Sequence, residues 1–217
     1  LQNQNDTLEQ IAQALFKSWF VAFDGVTEWD DSELGRIPKG WEAKRLDKLF
    51  HISAGGDLSK ISFSKIKSNE YKYPVYSNSL DNKGLYGFSK KYQYEPECVT
   101  ITARGNVGRA EYRNNCFSAI VRLLVLKAKY DFLCSYTTHF INYKLDFSHV
   151  GSAVNQLTAP AISDRVIVVP SSNSLEKFNI ISQTIFLKIG ENQSQIDTLT
   201  KTRDILLPKL MSGEIRV

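Results

Sequence analysis

Apolar residues recur in two rhythms along this chain, and the change of rhythm divides it. In residues 6–23, DTLEQIAQALFKSWFVAF, the apolar Leu8, Ile11, Ala12, Leu15, Trp19 and Phe23 fall at steps of three and four. That spacing puts them on one face of a helix. Asp6 or Thr7 can cap it, and Glu9 stands at the capping-box distance from Asp6. Residues 24–40 lose the period, and their acids, three glycines and Pro38 mark a linker. From Trp41 to Pro170 the apolar runs shorten. Tyr73–Tyr76, Cys98–Thr102, Ile120–Lys127 and Val166–Val169 are β-rich and separated by Gly, Asn, Ser and Asp clusters, the pattern of strands and turns. One helix is expected at 132–146, striped by Leu133, Tyr136, Phe140 and Tyr143. The SSNS at 171–174 reads as a loop and a helix cap.

The tail carries the longest pattern. From Leu175 to Leu207 there is no proline, and Gly190 is the single glycine. Positions 178, 182, 185, 189, 192, 196, 199, 203, 206 and 210 alternate steps of four and three. Seven of these ten are apolar: Phe178, Ile185, Ile189, Ile196, Leu199, Leu206 and Leu210. This is a heptad seam. Asn192 falls on it, where a buried amide sets register at some cost in stability. Arg203 also falls on it and is placed to snorkel. Pro208 should kink or end the helix. About 33 residues of helix extend roughly 50 Å, so the stripe needs a helical partner. The first helix, through Leu8, Ile11, Leu15 and Trp19, is one candidate, and it covers only about half that length. The remainder wants a second chain or another part of the native polypeptide. A tail folded back as two shorter helices near Gly190 is the alternative. The predicted architecture is α/β (α+β). A mixed-sheet domain over 36–173 lies between an N-terminal helix and linker at 1–35 and a long helical coiled-coil spacer at 174–217.

Composition adds limits. A chain of 217 residues, 42% hydrophobic, carries enough apolar material for a sizeable core, which rules out wholesale disorder. Its longest apolar runs are far too short to cross a bilayer. No charged-then-apolar leader opens the sequence. Cys98, Cys116 and Cys134 are widely spaced, with no CxxC pair, which predicts a reducing, cytoplasmic setting. The formal charge is +4, unevenly distributed: −6 over residues 1–35, +7 over 36–110 and +3 over 111–217. A basic middle segment is the electrostatic outline of a phosphate-binding module, or of a solvated lysine surface.

The two ends carry a resemblance. TLEQIAQALFKSWFVAFDGV and IDTLTKTRDILLPKLMSGEIRV resemble the conserved helical regions of the DNA-specificity subunit of type I restriction–modification systems. Between them, IPKGWEAKRLDKLF, TITARGNVG and GSAVNQLTAPAISDRVIVVP are similar to the entry, a strand with its glycine turn, and the closing segment of that family's target recognition domain. The resemblance covers nearly the whole chain. It implies double-stranded DNA recognition without catalysis and without a cofactor. It also implies methyltransferase subunits as partners and, through them, the restriction subunit. A full subunit alternates two recognition domains with two helical regions. This chain has one such domain, so it is a half-subunit or the distal half of a longer polypeptide, and a half-subunit implies a homodimer.

DNA reading needs Lys and Arg for phosphates, and Arg, Asn or Gln for base edges. Four polar loops supply them: GGDLSK (55–60) with Lys60; YSNSLDNKG (76–84) with Ser77, Asn78, Asn82 and Lys83; TARGNVGR (102–109) with Arg104, Gly105, Asn106 and Arg109; and SAVNQLT (152–158) with Asn155 and Gln156. They are expected to form one recognition face, although such clusters also build ordinary turns. Tyr71, Tyr73, Tyr76, Tyr86, Tyr92 and Tyr94 interleave with lysines, and half-buried packing is favoured over a stacking platform. Catalytic signatures are sparse. There is no P-loop, and GNVG (105–108) is too short for a dinucleotide fingerprint. His51, His139 and His149 have no metal spacing, and the cysteines sit in or near apolar runs. The competing reading is a DNA nuclease or processing enzyme with a coiled-coil dimerisation arm. It would draw on Asp47, Asp57, Asp81, Glu95, Glu97 or the Glu42-Ala43-Lys44 triplet.

Overall fold

The computed structural model describes residues 1–147 and 156–215. In chain order these form α1 (Gln2–Phe20), β1 (Trp29–Ser32), β2 (Gly35–Pro38), β3 (Glu42–Arg45), α2 (Leu46–Leu49), β4 (Phe50–Ala54), β5 (Phe63–Ser64), β6 (Tyr73–Tyr76), β7 (Leu85–Ser89), β8 (Cys98–Thr102), β9 (Ala110–Arg113), β10 (Ser118–Ala119), β11 (Leu123–Ala128), α3 (Leu133–Lys144), α4 (Ala159–Ser163), β12 (Val166–Val169) and α5 (Ser172–Met211). The content is mixed α and β, as the sequence pattern implies. Contacts divide the chain into two compact units, residues 25–176 and residues 1–24 with 177–217.

The larger unit is built on two four-stranded sheets. One runs β4-β11-β8-β9 and is antiparallel throughout; the other runs β10-β6-β7-β5, with β10 parallel to β6. Every residue of β8 is buried, so this strand shows a continuous apolar and β-branched run rather than alternation. Cys98, Phe117, Ala119, Leu123 and Val125 form one core cluster, with Tyr76 and Tyr94 packed against it. Helix α3 lies on β8 and β9, burying Leu133, Tyr136, Phe140 and Ile141, while Tyr143 at the end of the expected stripe is exposed. The Tyr136 hydroxyl donates to the Val168 carbonyl at 2.5 Å, which satisfies a phenol that would otherwise be costly to bury. The entry and exit of this unit meet in a ladder, with β12 pairing antiparallel with β3 from Val166↔Arg45 to Val169↔Glu42.

The smaller unit is a pair of helices. Asn5 meets Asn192, Ala12 packs with Ile185 and Ile189, and Phe16 and Phe20 meet Phe178. Residue numbers rise on α1 as they fall on α5, so the pair is antiparallel. The Phe20 and Phe178 rings cross edge to face at 5.1 Å, and each fully buried Phe contributes about 1.5–3 kcal/mol.

Several expectations are corrected. Helix α1 starts at Gln2 with no side-chain cap, a turn before Asp6. The extra turn carries Asn5, which is buried and bonded to Asn192. Burial on α1 follows Asn5, Ala12, Phe16 and Phe20, with Leu8, Leu15 and Trp19 half-buried and Ile11 at 50% exposure. The packed stripe is thus turned by about one residue from the spacing first read, because Phe rings fill the interface better than Ile11. The segment assigned as linker contains the β1–β2 hairpin. The expected strand at 120–127 begins only at Leu123, because Arg122 turns the chain with φ +73°. Helix α5 is unbroken at Gly190 and continues past Pro208 to Met211. A proline one turn from the end removes a single internal hydrogen bond. On α5, Phe178, Ile185, Ile189 and Asn192 are buried and Ile196 is half-buried. Leu199, Leu206 and Leu210 are exposed, and among the described residues no helix covers them.

Candidate nucleic-acid interface

The candidate loops are joined through a short turn, Ile120–Arg122, that the apolar run around it conceals. Gly56 N–H donates to the Ala119 carbonyl at 2.9 Å, and Gly56 bridges Ile120. Gly55 lies so close that a Cβ there would stand 2.4 Å from the Ile120 carbonyl oxygen. Ile120 N–H donates to Tyr76 O at 3.0 Å, bringing in the second loop. Ala103 N–H donates to Arg122 O at 3.0 Å, and Leu157 N–H to Ala103 O at 2.8 Å, bringing in the third loop and the described end of the fourth. Gln156 is exposed and bridges Arg104. Asn155, like His149, lies outside the described residues.

Each loop also has internal order. Asn78 does not point outward as a base reader would. Its Oδ1 accepts from Ala103 N at 2.7 Å and Arg104 N at 3.2 Å, and its Nδ2 donates to Arg104 O. It clasps the second loop to the third. Within the third loop, Thr102 Oγ1 accepts from Arg109 N at 3.0 Å and donates to Asn106 O. Arg104, Gly105, Asn106 and Arg109 are exposed, with Arg109 paired to Glu111 at 3.1 Å. Gly105 has φ +74° and open space where a Cβ would lie. Asn82 and Lys83 are exposed, both with left-handed backbone (φ 47° and 51°). Ser77 is half-buried, and its N–H donates to Gly84 O at 2.8 Å. Lys60 is exposed at the end of a single 3-10 turn capped by Asp57, which accepts from Ser59 N at 3.0 Å. That bond holds the Asp57 carboxyl below its ordinary pKa. An open groove of about 520 Å³ runs between Ser77–Ser79, Arg104–Gly105 and Val121–Arg122.

Two contributors escaped the sequence reading. Arg122 is exposed in the groove wall, and the one charge inside the run Ala119–Leu126 was the signal for it. Arg113 is 5% exposed, gave no signal, and reaches the second loop from below. The tyrosines pack largely as expected. Tyr71, Tyr73, Tyr76 and Tyr94 are half-buried, while Tyr86 and Tyr92 are exposed. Lys65 Nζ stands 3.4 Å from the Tyr86 ring centre, and Tyr92 meets Tyr73 edge to face at 5.0 Å.

The residues of the competing enzymatic reading take local roles. Asp47 pairs with Arg45, which holds its carboxyl below the usual range; Glu97 accepts from the Tyr112 hydroxyl at 2.5 Å; Lys44 pairs with Glu42. Among the described residues no group of three His, Cys, Asp or Glu is placed to hold a metal ion. Burial pushes the Cys98 thiol up to about 11 and raises Cys134 well above the ordinary thiol value, so both stay protonated at neutral pH and are poor nucleophiles. No helix among the described residues is long and apolar enough to cross a membrane.

Residues 38–205 match the family described as type I restriction modification DNA specificity domain. The chain belongs to this family. Its relatives within the type I specificity family include the MjaIX specificity subunit of Methanocaldococcus jannaschii, 30% identical over 99% of this chain and 54% of that protein. The HindI specificity subunit of Haemophilus influenzae is 25% identical over 97% of this chain and 62% of its own length. The chain therefore spans about half the length of the curated relatives it matches. The fold agrees with solved type I S subunits. That of M. genitalium superposes with a TM-score of 0.63 at 17% identity, covering 96% of this chain and 54% of the other. The HsdS subunit of Thermoanaerobacter tengcongensis gives 0.52 at 16% identity, covering 99% and 53%.

Proposed function

We propose that this chain reads a double-stranded DNA sequence as a half-subunit, or as the distal half, of a type I specificity subunit. The observation that carries the reading is the joining of the polar loops through Ile120–Arg122 into one surface. The joined loops expose Lys60, Lys83, Arg104, Arg109 and Arg122 and the amides of Asn82 and Gln156. Cations there would neutralise phosphates, and the amides and arginines would reach base edges. Gly105, with no side chain, lets a phosphate approach its backbone beside Arg104. The chain supplies the address and no chemistry. The helical unit docks methyltransferase subunits, and through them the restriction subunit, in the cytoplasm. Where the chain is a half-subunit, the uncovered α5 residues Leu199, Leu206 and Leu210 face a second copy.

The test is equilibrium binding to duplex DNA across a salt series. Affinity should fall linearly on a double-logarithmic plot, with a slope of about 0.9 per phosphate neutralised. Arg104→Ala should lower that slope by about one if Arg104 meets a phosphate, or relax one motif position if it meets a base. Duplex binding that is absent, or indifferent to salt, would overturn the reading. Mapping methylated motifs in cells then separates the two forms: a symmetric bipartite motif marks the homodimer, and an asymmetric one the longer polypeptide.

A further inference from the structure

The second loop is held in an expensive shape. Asn82, Lys83 and Gly84 are all left-handed, with φ 47°, 51° and 82°. Glycine adopts that region freely and asparagine at modest cost, but a lysine beside it in the same conformation persists only where its surroundings fix it. A cavity of about 190 Å³ separates Ser77, Ser79 and Lys83 from Thr100, Glu111 and Arg113. Arg113 crosses the gap. Its Nη2 donates to Lys83 O at 2.7 Å, and its Nε donates to Thr100 Oγ1 at 2.9 Å on the central strand β8. Its guanidinium lies 3.6 Å from the ring centre of Tyr76, at the loop's other root. One planar group thus ties both ends of the loop to the sheet.

We propose that Arg113 is a positioning residue for sequence recognition. It never meets DNA. It holds the left-handed turn from inside, so that the Asn82 side chain stands at one fixed place on the recognition face. The inference rests on the DNA-reading proposal above. Lysine cannot replace Arg113, because an ammonium has no planar fork to serve Thr100, Lys83 and the Tyr76 ring together.

The test uses the full chain with its methyltransferase subunits, and a pool of short random-sequence duplexes as the probe. The native chain should enrich one motif. Arg113→Lys should lose preference at one or two positions by roughly tenfold or more, keeping the others and the salt slope. Asn82→Ala should lose the same positions. An unchanged motif in Arg113→Lys, beside a changed one in Asn82→Ala, overturns the positioning role and leaves DNA reading intact. An even loss at all positions, tracking a lowered melting midpoint, also overturns it, because the residue is then only part of the core. If Arg113→Lys does not fold, Thr100→Val withdraws the Nε acceptor, together with a 3.4 Å bond from the Thr100 hydroxyl to the Glu111 carbonyl, and the same positions should weaken; an unaltered motif there counts against the role. A native chain that enriches nothing overturns the DNA reading itself, and this role with it.

Discussion

A single amide satisfies three backbone groups where two loops of the candidate interface meet. Asn78 accepts from Ala103 N and Arg104 N and donates to Arg104 O. Truncation removes this partner from the exposed N–H and carbonyl of Arg104, while Ala103 N keeps its bond to the Arg122 carbonyl. Asn78→Ala should therefore lower stability by about 0.5–1.5 kcal/mol, read as a shifted urea midpoint. Asn78→Asp keeps the two acceptor bonds but sets a carboxylate oxygen against Arg104 O, and should fall no nearer the native value than Ala. The glycines of the neighbouring turn separate two kinds of cost. Gly105, at φ +74°, has nothing within 4 Å of where a Cβ would stand. Gly105→Ala should cost only the conformational penalty, about 1–2 kcal/mol. Gly108 has φ +90°, and a Cβ there would lie 2.1 Å from the Phe147 ring. Gly108→Ala adds overpacking of about 1–3 kcal/mol. Equal midpoints for the two variants would refute this placement of Phe147.

At the scale of elements, the helix pair depends on one polar contact in an apolar seam. Asn192 Nδ2 donates to Asn5 Oδ1 at 2.8 Å, and both residues are nearly fully buried. Asn192→Leu alone leaves Asn5 unsatisfied and should cost about 1–3 kcal/mol. The double change Asn5→Leu with Asn192→Leu should recover most of that loss, because burying two apolar groups avoids the orphaned amide. It should also loosen register, since the amide pair is the contact that defines it. A double-mutant cycle by thermal melting measures the first effect. The sequence showed why Asn192 is exceptional, by its place on the heptad, yet not what it meets. Asn5 precedes the apparent cap at Asp6, and its burial exists only in the pair. Strands β6, β8 and β12 were legible to the residue, because β-branched and aromatic residues fill these runs and turn residues close them. The β1–β2 hairpin was hidden in WDDS and GRIP, which show no apolar alternation. The four loops were legible by composition, but their common anchor was not. Ile120–Arg122 works through backbone groups, which a sequence does not display.

For the whole molecule, the proposed division of labour is a domain that chooses bases and a helix that sets a distance. On that proposal the two roles use separate residues. The recognition loops lie in 25–176, whereas the heptad seam beyond Ile196 lies in the helical unit. On α5 the stretch from Asn192 to Phe178 is matched by α1, and Leu199, Leu206 and Leu210 are not covered among the described residues. One heptad inserted after Ile196 preserves the facing of the seam, because seven residues return the stripe to the same side. It lengthens the helix by about 10 Å, or about three base pairs at 3.4 Å per step. The methylated motif should keep both half-site sequences and gain about that much in the spacer between them. A two-residue insertion turns the stripe by about 200°, to the far side of the helix, and should instead abolish assembly, seen as loss of methylation rather than a new motif. If the heptad insertion altered the bases read within a half-site, the helix would be shaping the recognition loops, and distance and sequence would not be separately encoded.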